Sequence, residues 1–224
     1  VLNEAVDMNR TMGVTVPTSP KKPYDKEITK EQYQQLVEHF NWRHIADQAR
    51  FYLLSLGLRR SEAVGLTVGS IEFVDEYAKI LVDKSRPPAY PEGKSTKTNE
   101  PRVVYAPPKI ANVLKEYLKW MKKRYKLNDK TLHKNDWLLI SINKLTPISP
   151  VTISSTIKRS GEELGFDVTS HKLRHYFATQ AKLDGVDIRL IADTLGHKSL
   201  STTDGYSHGK SESARKIVDM VSFL

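Results

Sequence analysis

The chain has 224 residues, no cysteine, a formal net charge of +9 and a sequence pI near 9.5. That length can bury a full core, and the missing cysteines exclude disulfide frameworks, thiolate nucleophiles and cysteine-ligated zinc, which fits a reducing compartment. No apolar run approaches the roughly 18 residues of a membrane span and no signal-type segment opens the sequence, so the expectation is a soluble intracellular protein with a polyanionic partner.

In chain order, "VPTSPKKPYDKE" (Val16 to Glu27) carries three prolines and few large apolar residues and reads as a linker. Residues 1–15 are too few for a domain, so 1–27 are expected to be the tail and linker of a missing N-terminal domain, with one domain over 28–224. The first helix begins in "ITKEQYQQLVEHF", where Thr29 can cap and Gln32 can return the bond three residues later. A second helix is expected over about Trp42 to Ser55, stopping at Gly57, and "RRSEAVGL" reads as a third, short one. The period then changes. "SIEFVDEYAKILVD" alternates around a "DE" turn and "PRVVYAP" supplies a third strand after a long loop from Lys84 to Glu100. Helices resume in "KIANVLKEYLKWMKKRYK", then over about Pro150 to Leu164, His171 to Leu183, Ile188 to Leu195 with Gly196 beyond, and near Glu212 to Leu224. The class expected is α+β: a mostly helical domain with a small three-stranded antiparallel sheet. The last segment sets Ile217, Val218, Val221 and Leu224 at helical spacing, the pattern of a core-facing stripe.

Charge is unevenly placed. From Lys84 to Lys126 twelve Lys and Arg stand against three Glu, which equals the excess of the whole chain. So lopsided a block reads as a phosphate-facing surface, with Lys84, Arg86, Lys94, Arg102, Lys122, Lys123 and Arg124 as candidate DNA contacts.

Three polar groups remain: "GLRRSE" at a helix end, "HKLRH" at a helix start, and "LGHKSLSTTDGYSH" in a glycine-punctuated turn. Chemistry on a phosphodiester unites them. Two arginines from separate helices can grip non-bridging oxygens and neutralise the charge of a pentavalent transition state. Histidines can move protons near neutral pH. Tyr206 can attack once a base takes its proton, since a phenol of pKa about 10 is otherwise mostly unreactive at pH 7.

At these spacings the chain, from about Ile28 onward, resembles the tyrosine recombinases and phage or transposon integrases. The resemblance rests on Arg59 in "GLRRSE" with Glu62 three residues on, on His171, Arg174 and His175 in "HKLRH", and on His197 in "LGH" with Tyr206 nine residues later. It implies a bacterial or archaeal, cytoplasmic, DNA-associated enzyme. Arg59 and Arg174 would bind the scissile phosphate, His171 would act as base or phosphate ligand, and His197 would bond a non-bridging oxygen. Tyr206 would attack phosphorus to give a 3′-phosphotyrosyl DNA and a free 5′-hydroxyl, with Glu62 and His175 orienting their neighbours. The family's hairpin lysine, the general acid for the leaving oxygen, would be Lys97 in "KTNEPRVVYAP", with Lys94 the competitor because this loop is longer than usual. Two transesterifications conserve bond energy, so no metal or other cofactor is implied. The partners implied are double-stranded DNA and three further copies in a homotetramer on paired sites, from a monomer off DNA. A type IB topoisomerase would share the nucleophile and arginines. A metal-dependent phosphodiesterase could use His171 and His175 with Asp193 or His197, although an adjacent arginine disfavours a cation, and a DNA-binding protein without catalysis would not need Tyr206.

Overall fold

The computed structural model describes residues 27–87, 89, 92–95, 101–196 and 209–224, the side chains of 209–213 excepted. The segment 1–26, which holds the expected tail and linker, lies outside them.

Helix α1 (Lys30–Asn41) opens on the expected capping box: Thr29 Oγ1 accepts from the Gln32 amide at 3.2 Å and Gln32 Oε1 accepts from the Thr29 amide at 3.0 Å. It buries Tyr33, Leu36 and Phe40, one helical stripe. Helix α2 (Ile45–Ser55) starts later than the sequence suggested. Trp42 caps the end of α1 and points into solvent, and the new start is made by His44, whose Nδ1 accepts from the Ala46 amide at 3.1 Å. From Phe51 to Ser55 every α2 residue is buried, so α2 is the central helix. Its one deep cation, Arg50, is paired with Asp47 at 2.6 Å and with the Ile140 carbonyl at 2.7 Å.

Beyond α2 the chain turns at Gly57, where φ is +84° and a Cβ would stand 2.6 Å from Leu195 Cδ2. Only glycine tolerates both conditions, and the turn delivers Arg59 to the start of α3 (Arg60–Ala63). The sheet is β1 (Ile71–Val74), β2 (Tyr77–Val82) and β5 (Arg102–Ala106), antiparallel in the order β1-β2-β5, with Val74 opposite Tyr77 across the Asp75-Glu76 turn. Inside the region expected to be one long loop, β3 (Lys84–Ser85) pairs with β4 (Lys94–Ser95) as a two-residue ribbon. It is tied to α3 by the Arg86 amide, which donates to the Ser61 carbonyl at 2.8 Å, and Gly65 packs against the Ser85 backbone.

Helix α4 (Pro108–Lys126) starts on Pro108, which suits the first helical position, and buries Ile110, Leu114, Tyr117, Met121 and Tyr125 against α2 and the sheet. Helices α5 (Pro150–Leu164), α6 (Ser170–Leu183), α7 (Ile188–Leu195) and α8 (Gly209–Met220) complete the described elements. The α+β class expected from the sequence is the one observed. Besides the main core there is a smaller apolar cluster of Phe177, Ala181, Val186, Ile191, Leu195, Ile217 and Val221, which joins α6, α7 and α8. The stripe of the last helix is therefore spent within this chain, where α8 covers β5 and α7. Among the described residues no helix is long and apolar enough to cross a membrane.

Candidate active site

An open cleft of about 600 Å³ lies between α3, α5 and α6, and its lining includes Arg59, Arg60, Ser154, Lys158, His171 and Arg174. Arg59 is the N-cap of α3. Its backbone amide donates to Glu62 Oε2 at 2.8 Å and its Nη1 to Glu62 Oε1 at 2.8 Å, so one carboxylate fixes both ends of the residue. Glu62 is buried. Burial alone would raise its pKa, but the hydrogen bonds and charge of Arg102, then the bonds from Arg59, outweigh it and hold the carboxyl below its ordinary range.

Thr169 caps α6 by accepting from the Lys172 amide at 3.1 Å, which places His171 in the first turn and Arg174 one turn further on. Arg174 points inward and is buried. Its Nη1 donates to the Gly57 carbonyl and its Nη2 to the Leu195 carbonyl, both at 2.6 Å. Burial, then the Arg59 charge, push its pKa down to about 9, which still leaves it charged at neutral pH. Arg59 reaches the same helix end, with Nη1 3.4 Å from the Leu195 carbonyl and Nη2 3.2 Å from that of Gly196. The last carbonyls of a helix have no partner within it and carry its negative end. They orient both guanidiniums while leaving each with donors to spare for an anion, since an arginine has five.

His171 Nε2 lies 2.8 Å from His175 Nε2, with the rings at 89°. One nitrogen must donate and the other accept, so this contact holds a single proton. Partial burial, then His175 and Arg174, lower the pKa of His171. The lowered value favours the uncharged imidazole near neutral pH, the form that can accept a proton.

The structure thus brings together Arg59, Glu62, His171, Arg174 and His175. Lys97, His197 and Tyr206 lie outside the described residues. Of the expected DNA contacts, Lys84, Lys122 and Lys123 are exposed, as is Lys94 on β4. Arg124 is half-buried, with Nη2 3.3 Å from the Asn143 carbonyl. Arg86 and Arg102 depart from the expectation, because both are turned inward. Arg86 is buried, donates to the Ile148 carbonyl and stacks 4.9 Å over the Trp137 ring. Arg102 is bound to Glu62 and to the Thr194 carbonyl. Sequence reading missed Arg60 and the polar stripe Ser154, Ser155 and Lys158 on α5, which faces the same cleft. The signal was present in the second arginine of "GLRRSE" and in the helical spacing of the stripe. Among the described residues no cluster of three His, Asp or Glu is placed to hold a metal ion.

Cleft, paired arginines and histidines on a helical domain with a small sheet define the class of the phosphodiester-cleaving strand transferases. The pattern of the phage integrase family matches residues 26–213, and the chain belongs to that family, the tyrosine recombinases, whose members cut and rejoin DNA by transesterification. The tyrosine recombinase XerA of Pyrococcus furiosus is 28% identical over 226 residues, covering 100% of this chain and 69% of that protein. XerA of Thermococcus onnurineus is 30% identical, covering 89% of this chain and 64% of that protein. The chain thus spans about two thirds of the length of these relatives. A crystal structure of XerA recombinase superposes with a TM-score of 0.63 at 25% identity, covering 90% of this chain and 66% of that one. The Tn1549 transposon integrase in complex with transposon right end DNA gives 0.63 at 18% identity, covering 96% and 71%.

Proposed function

We propose that this domain is the catalytic part of a site-specific recombinase that cuts and rejoins double-stranded DNA through a phosphotyrosyl bond to Tyr206. The observation that carries the reading is the convergence of Arg59 and Arg174, from two different helices, on one open cleft that also holds His171. Two fixed guanidiniums complement a phosphorane whose charge grows as attack proceeds. In the forward step the Tyr206 oxygen bonds to phosphorus, its proton passes to a base, for which His171 is assigned, and the 5′-oxygen departs with a proton from Lys97. His197 donates to a non-bridging oxygen. In the return step a 5′-hydroxyl attacks the phosphotyrosine and the phenol leaves, so bonds broken and formed balance and no cofactor is consumed. Lys97, His197 and Tyr206 take these roles from the sequence pattern.

Double-stranded DNA is the proposed substrate, supported by the family and by exposed basic residues, Arg60 and Lys158 at the cleft and Lys122 and Lys123 on α4. Recombination between two duplexes requires four active sites, so a homotetramer on paired sites is proposed, formed from monomers. The match to the phage integrase family supports a mobile-element setting.

The test is covalent capture. The chain is incubated with a pool of nicked duplexes of randomised sequence, from which a departing strand diffuses away and traps the adduct. Wild-type protein is expected to yield a slow-migrating protein–DNA band whose DNA can be sequenced, and Tyr206→Phe none. Arg59→Ala and Arg174→Ala should slow capture by about 10²–10³ each, the usual loss of one transition-state donor. An undiminished band in Tyr206→Phe would assign the nucleophile elsewhere.

A further inference from the structure

Arg102 belongs by sequence to the basic block, yet its side chain is only 10% exposed and faces the two phosphate arginines from behind. Its Nη1 and Nη2 donate to Glu62 Oε1 at 3.1 Å and Oε2 at 2.6 Å, and its Nε donates to the Thr194 carbonyl at 2.7 Å. Each Glu62 oxygen is therefore shared between two arginines: Oε1 takes Nη1 of Arg59 and of Arg102, and Oε2 takes the Arg59 amide and Nη2 of Arg102. Three arginines from three elements divide the end of α7 among them, with Arg102 on Thr194, Arg174 on Leu195, and Arg59 on Leu195 and Gly196. Gly196, at φ +69°, is pressed against Arg102, where a Cβ would stand 3.0 Å from Nη1.

We propose that Arg102 is a positioning residue for strand transfer: it clamps the Glu62 carboxylate to the end of α7 and so fixes the guanidinium of Arg59 against the phosphate site. This rests on the recombinase reading above. A carboxylate gripped at both oxygens cannot rotate, and the planar fork of arginine matches it where a lysine ammonium, a single point, does not. Without the clamp Glu62 is held by Arg59 alone and is no longer tied to the end of α7. The Arg59 guanidinium then keeps only its longer bonds to the Leu195 and Gly196 carbonyls as an outside anchor and gains rotameric freedom. Displacement of a catalytic group by about 1 Å can cost on the order of 10² in rate.

The experiment is a double-mutant cycle in single-turnover cleavage at saturating duplex, with a captured sequence as substrate. Arg102→Met should cleave on the order of 10²-fold more slowly while DNA affinity stays within about twofold. Arg102→Lys should fall between the two, and it replaces the methionine variant in every arm if the latter does not fold. In an Arg59→Ala background the same substitution should cost nothing further, because its effect passes through Arg59. A loss of equal size in both backgrounds, or a loss confined to DNA affinity, would overturn the proposal, the second returning Arg102 to a phosphate-binding role. A readout that needs no DNA separates this from failure of the recombinase reading. In wild-type protein the Arg59 Nη–H signals should be resolved by nuclear magnetic resonance because rotation is blocked, and in Arg102→Met they should average. Signals that stay resolved would overturn the clamp whatever the enzyme's activity.

Discussion

His171 and His175 share one proton across a 2.8 Å contact, and Arg174 lies between them in sequence on the same helix. Partial burial is the largest cause of the lowered pKa of His171, and burial likewise leads for the lowered values of His39 and His44. Each folded value lies below the ordinary 6.5, so near neutrality the unfolded chain binds more protons than the folded one. Stability from these groups is thus complete above the unfolded pKa and declines as pH falls through the folded values. The urea midpoint should drop between about pH 8 and about pH 5.5, and His171→Gln should make that drop shallower. A midpoint that rises on acidification would mean that the histidines gain, not lose, protonation on folding. Under the proposed mechanism the same shift would have a use, since the base that takes the phenol's proton must itself be uncharged.

The elements that carry these residues are joined at points where glycine is required for different reasons. Gly57 ends the α2 turn at φ +84° against Leu195 and Phe177, whereas Gly165 ends α5 at φ +82° with nothing within 4 Å. Gly165→Ala should therefore cost only the left-handed strain, about 1–2 kcal/mol. Gly57→Ala should add an overpacking penalty of roughly 1–3 kcal/mol and move the Gly57 carbonyl that holds Arg174. Chemical denaturation of the two variants would show it, and equal losses would mean that the smaller core yields without cost. The helices themselves were legible because their signals are local: the Thr29–Gln32 capping box, the stripe from Ile110 to Tyr125, and Gly196 beyond α7. The β3–β4 ribbon was not, since strands of two residues have no period to read. Nor was the inward turn of Arg86 and Arg102, because charged residues are mostly exposed and only long-range partners such as Trp137, Glu62 and Thr194 reverse that expectation. The arginines and histidines of the site could be named from their spacing. The α7 carbonyls that aim two of them could not, since every residue has a backbone carbonyl.

At the scale of the whole molecule the charge map differs from the charge count. The segment 84–126 holds an excess equal to the chain's net +9, but two of its arginines are consumed inside the fold. Meanwhile Arg60 and Lys158, outside that segment, line the cleft beside Arg59 and His171. A duplex whose scissile phosphate sits on Arg59 and Arg174 must pass these two side chains, while Lys122 and Lys123 stand at the far end of α4 from its start beside the sheet. Every cation withdrawn from a phosphate lowers the slope of log affinity against log salt by about 0.9 for duplex DNA. Arg60→Gln with Lys158→Gln should therefore flatten the slope more than Lys122→Gln with Lys123→Gln, measured on one short duplex across a salt titration. The comparison is internally controlled, because both double variants remove two positive charges and alter the net charge of the protein equally. A larger effect from the α4 pair would place the duplex along α4 and leave the cleft to the scissile phosphate alone.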